Sequence, residues 1–127
     1  MSSTLMFERA RQAYALVSRA IERFPKEYRY TLGERWEMYA LKVIEHTARC
    51  ETTLPPLKDR ELVEVVVCAQ TSLVLARLCT DKGIITPQSF FEFTGRMQEV
   101  AKIANSWRKA LIIPQKHKYQ QKTAPKP

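Results

Sequence analysis

The stretch ELVEVVVCAQTSLVLARLCTDKG, Glu61 to Gly83, decides the fold. Its β-branched run Val65-Val66-Val67 has the composition of a strand. Yet about 25 residues, from Lys58 to Lys82, pass without a turn signal, which is helix length and several times the length of a strand. Read as a helix, the segment puts Leu62, Val65, Val66, Ala69, Leu73 and Ala76 on one face, and Val63, Val67, Val74 and Leu78 carry the apolar character well round the cylinder. Few positions are left for water, chiefly Glu61, Glu64, Thr71 and Arg77. Gly83 supplies the C-terminal cap. Apolar surface wider than one stripe needs cover, so this helix is either the most central of its bundle or part of a subunit interface.

Upstream, Met6, Ala10, Ala13, Val17, Ala20 and Phe24 recur at helical spacing and predict a first helix over Thr4–Phe24, ended by Pro25. A second begins near Thr31, with Leu32, Trp36, Tyr39, Val43, Thr47 and Cys50 on its stripe, and stops at the double proline Pro55-Pro56. Downstream, Thr86 as N-cap and Pro87 at the first helical position open a fourth, whose stripe runs Phe90, Phe93, Met97, Val100, Ala104, Trp107 and Leu111. Four helices joined by short loops predict an all-α, antiparallel up-down four-helix bundle over residues 1–113. The remainder, 114–127, holds four Lys, no acid and almost nothing apolar, and is expected to be a disordered basic tail.

At 127 residues the chain is one domain that needs neither metal nor disulfide to fold. Cys50, Cys68 and Cys79 are far apart and odd in number, which reads as reduced packing thiols in a cytoplasmic protein. The apolar runs are shorter than a membrane helix requires, so no membrane partner is expected. Catalysis needs converging groups. His46 and His117 have no cysteine or second histidine at metal-ligand spacing, Glu45-His46 is adjacent where a di-iron bundle needs Glu-x-x-His, and no glycine-rich phosphate loop exists. The sequence predicts no enzyme, no cofactor, no metal and no small-molecule substrate.

Charge points elsewhere. There are 21 Lys and Arg against 13 Asp and Glu, a net +8; without the four tail lysines, 17 against 13 leaves +4 in the folded part. The surplus lies on the first and last helices, neighbours in an up-down bundle, while the second and third are close to balanced. A basic face of this kind holds phosphates without reading sequence. The candidate nucleic-acid contacts are Arg19, Arg23, Lys26, Arg29, Arg77, Lys102, Arg108 and Lys109, as positioning charges. The rival reading is a protein–protein adaptor whose charge serves solubility alone.

Three motifs, FPKEYRYTLGERW (24–36), ARLCTDKGIITPQSF (76–90) and MQEVAKIANSW (97–107), together resemble the Avd family. These are the accessory variability determinants of diversity-generating retroelements, related to four-helix-bundle proteins of ribosomal RNA intervening sequences. The resemblance covers roughly residues 5–112. It implies a non-enzymatic bundle assembled into a pentameric ring or barrel, which binds template RNA or cDNA and the retroelement reverse transcriptase to support mutagenic reverse transcription. The chain departs from that pattern at Leu73, where relatives often carry Arg, and at Asn105-Ser106, where relatives carry Gly-Gly before the tryptophan.

Overall fold

The computed structural model describes the backbone of residues 3–123 and the side chains of residues 5–111. Four long helices carry the fold: α1 (Ser3–Ile21), α3 (Glu34–Thr52), α4 (Pro55–Asp81) and α5 (Pro87–Thr123). Between α1 and α3 lie one short turn, α2 (Lys26–Tyr28), and a π-helical turn, Arg29–Gly33. No strand occurs among the described residues. Helix α1 packs beside α3 and α5, and α4 beside the same two, so α1 and α4 occupy opposite corners of a four-helix arrangement. The neighbouring of the first and last helices expected of an up-down bundle is therefore observed.

Each predicted stripe faces inward. Met6, Ala10, Ala13 and Val17 of α1 are fully buried, as are Val43 and Cys50 of α3, Leu62, Val65, Ala69 and Ala76 of α4, and Phe93, Met97, Val100 and Ala104 of α5. Buried Thr47 and Ser72 stay in this apolar interior because each hydroxyl donates to a carbonyl one turn back, Ile44 and Ala69, both at 2.7 Å.

The ends follow local chemistry. Thr86 accepts from the Ser89 amide at 3.1 Å, the N-cap bond expected of it. Gly83 takes φ +74, and the amides of Gly83 and Ile84 donate to Thr80 and Cys79, a Schellman closure that a residue with a Cβ resists. Several boundaries differ from expectation; the second long helix, expected from near Thr31, begins at Glu34 behind the π-helical turn. The double proline opens α4 as well as closing the element before it, because a helix start leaves its first amides unpaired and proline has none to lose. Helix α1 stops at Ile21, and Arg23 and Phe24 form a tighter turn, their amides reaching Ala20 and Ile21. The α5 backbone shows no break at Pro114. Of the expected disordered tail, 114–127, the backbone is described only as far as Thr123, where it continues α5; residues 124–127 and the side chains from 112 onward lie outside the described residues.

The corner between α1 and α3 is welded by rings. Trp36, 1% exposed, stacks on Phe24 with centroids 6.2 Å apart and receives Phe93 edge-on at 5.0 Å. Gly33 makes this possible: a Cβ there would lie 3.1 Å from the Phe24 ring and 3.2 Å from the Tyr28 carbonyl oxygen. The outer face of α4 is apolar as well, with Val67, Val74 and Leu78 51%, 60% and 43% exposed, and α3 repeats this on a smaller scale with Met38 and Leu41. Apolar on both sides, α4 is the one helix among the described residues long and apolar enough to cross a membrane by length and composition, although its inner face completes the core.

Candidate nucleic-acid interface

The α1–α5 contact is pinned by Arg9, whose Nε donates to Glu99 Oε2 at 2.5 Å, with Gln12 accepting from the same guanidinium at 3.2 Å. Side chains toward solvent from this seam are small, Ala15 on α1 and Gly95 on α5, so a groove opens between the helices. Arg11, Arg19, Arg96, Glu92 and the ring of Phe91 stand around it. Leu16, Arg19 and Glu92 also border a second depression, which runs on to Arg23 and the hydroxyl-bearing Thr86 and Ser89 at the start of α5. The two lie end to end along the seam and share Leu16, Arg19 and Glu92. Arg11 is held by Glu8, and that hydrogen bond, opposed by slight desolvation, keeps the Glu8 carboxyl below its ordinary range. Arg19, Arg23 and Arg96 are exposed, with no ion-pair partner among the described residues.

The structure divides the eight residues expected from sequence. Arg19 and Arg23 line the seam. Lys102 and Lys109 are exposed on α5, and their spacing from Phe91, eleven and eighteen residues, keeps them on its outward face. At 1.5 Å per residue Lys102 lies about 20 Å farther along the bundle than Arg19, so these are two stations on one side. Lys26 is exposed at the α2 corner.

The other three have work inside the chain. Arg29 folds back so that its Nη2 donates to the carbonyls of Glu22 and Phe24, at 3.2 and 3.4 Å, closing the frayed end of α1. Arg108 donates from Nε to Asp59 Oδ1 at 2.9 Å, tying α5 to the start of α4. Arg77 lies 3.8 Å from Asp81 and over the Phe90 ring, also at the α4–α5 contact. Arg77 and Arg108 are thus on the opposite flank of α5 from the seam.

Sequence reasoning passed over Arg96 and Phe91. The second carried a legible signal: Phe91 falls off the stripe of Phe90 and Phe93, and the structure leaves it 80% exposed. An exposed ring beside unpaired guanidinium groups suits a flexible polyanion with stackable bases.

The buried thiols show no sign of nucleophilic activation. Burial pushes Cys50 and Cys79 up to about 11, and it raises Cys68 as well, with the Glu64 carboxylate adding to the effect. Tyr14, partly buried and hydrogen-bonded to Glu37 at 3.2 Å, is also shifted upward, chiefly by desolvation. No family model, curated protein or solved structure matches the chain.

Proposed function

We propose that this chain is a non-enzymatic, Avd-like accessory protein that holds template RNA or cDNA beside a retroelement reverse transcriptase in the cytoplasm and works as a homo-oligomer, a pentameric ring. The observation that carries the nucleic-acid part is the α1–α5 seam, where unpaired Arg19, Arg23 and Arg96 border a groove beside exposed Phe91. Such a surface grips phosphates and stacks bases without discriminating among them. Family and polymerase partner rest on the three sequence motifs. The oligomer is supported by the apolar outside of α4, which assembly would cover.

That same α4 face favours a second reading, a protein-only adaptor. Binding of a labelled single-stranded RNA, followed by fluorescence anisotropy against salt, separates the two. The proposal expects binding near 50 mM salt, with a slope that falls by about 1.4 in the Arg19→Gln/Arg96→Gln double variant, at roughly 0.7 per lost phosphate contact. No binding by the wild-type chain at low salt would leave the adaptor standing.

A further inference from the structure

Where α3 and α4 meet, one metal-ligating atom from each of His46, Glu64 and Cys68 converges, all three within 4.8 Å of one another. His46 comes from α3, and the other two stand four residues apart on α4, so the helix itself sets their spacing. The imidazole is already oriented: its Nδ1 lies 2.9 Å from Glu61 Oε2. A carboxylate beside one ring nitrogen is the arrangement that orients metal-binding histidines, with the other nitrogen serving as the ligand. The surroundings are dry on one side and open on the other, since Cys68 is 4% exposed and Glu64 is exposed. Lys42 and Glu45 are the charged α3 neighbours of the thiol, and the Lys42 ammonium lies 5.0 Å over the Tyr39 ring.

We propose that His46, Glu64 and Cys68 form a three-ligand site for a zinc-class divalent ion, with Glu61 positioning the imidazole and water completing the tetrahedron. One thiolate, one imidazole and one carboxylate suit this ion, whereas calcium and magnesium take oxygen ligands. Bonds of about 2.0–2.3 Å put tetrahedral ligand atoms about 3.3–3.8 Å apart, so the site closes by roughly 1 Å. The exposed Glu64 side chain supplies that movement. On binding, the Cys68 S–H bond breaks, its proton leaves to solvent, and the sulfur lone pair bonds to the ion. The ion then bridges α3 and α4, a link that spacing along the sequence does not display because its ligands come from different helices.

The test is a Co2+ titration of the reduced full-length chain, followed by zinc competition, with circular dichroism confirming the fold of every variant. Expected are one ion per chain, a sulfur-to-cobalt charge-transfer band that zinc abolishes, and loss of that band in Cys68→Ser. Glu61→Gln should weaken binding about 10–100-fold, the usual effect of removing an orienting partner, and His46→Gln at least as much. Should Cys68→Ser not fold, Glu64→Gln at the surface stands in, with at least about tenfold weaker binding. A folded wild-type chain without a saturable band overturns the proposal. So does a band that survives Cys68→Ser and vanishes in Cys50→Ser or Cys79→Ser, or binding lost only in His117→Ala.

Discussion

Helices α1 and α4 sit at opposite corners and both line the core, but their outer faces differ: each carries an ion pair, Glu8 with Arg11 and Arg77 with Asp81, and α4 adds a set of exposed aliphatic side chains. Outside α1 stand Glu8 paired with Arg11, then Arg19 and Glu22, a surface made for water and ions. Outside α4 stand Val67, Val74 and Leu78. The core uses about half of each cylinder, so the fold constrains the inner residues and leaves the outer ones to other demands. Under the proposed function those demands are solubility and polyanion contact on α1 and contact with protein on α4.

The largest expected effects test the half that the two helices share. Leu62→Ala on α4 and Met6→Ala on α1 each empty a fully buried site, and each should cost about 2–5 kcal/mol in urea unfolding. A loss below 1 kcal/mol in either would show that its inner face is not core.

Alkaline pH sharpens the contrast next, because the cysteines lie on α3 and α4 and none on α1. Burial lifts Cys50 and Cys79 from 9.0 to about 11 in the folded state, so the native chain holds these protons where the unfolded chain releases them. Their contribution is complete below pH 9 and drains away as pH rises toward 11, at about 1.4 kcal/mol per pH unit for each thiol. Urea midpoints measured through this window should fall less steeply in Cys50→Ala/Cys79→Ala; an equal slope would contradict the burial argument.

The smallest effect on folding carries the most information about assembly. Val67→Asp/Val74→Asp alters exposed positions and should change monomer stability by no more than about 0.5 kcal/mol per site. Light scattering should nonetheless report a lower molar mass than for the wild-type chain. A wild-type monomer would remove the ring from the proposal and leave α4 as a docking face for another protein.

The fold was largely legible because helical periodicity reports burial directly: the stripe residues of all four segments face the core, and Gly83 and Thr86 end and begin their helices as local chemistry requires. The prolines were less legible. Pro55 and Pro56 read as a stop but also start a helix, since the missing amide that breaks an interior costs nothing at the first turn. The site was half legible, for a reason of dimension. A helical wheel says how far a residue points from its own core, not which neighbour it meets, so the partnership of Arg108 with Asp59, 49 residues away, left no local trace. Arg29 looked like a free cation at a corner and is a cap. The meeting of His46 with Cys68 was hidden for the same reason: spacing along the chain gave His46 no ligand partner and left Cys68 a packing thiol, because the two stand on different helices.

The weld between Gly33 and Phe24 bears on which sequence changes the chain tolerates. A π-helical turn is an α-helical turn carrying one extra residue, and this one sits immediately before α3, whose first turn carries Trp36. Deleting a residue between Arg29 and Gly33 therefore does more than shorten a connection: it turns the whole of α3 by about 100° and swings Trp36 off Phe24. The link at Thr53 and Leu54, extended in backbone and with Leu54 70% exposed, has no such phase to keep. One corner of the bundle counts residues and the other does not, so a fluorescent tag or a new pair of termini belongs at the second.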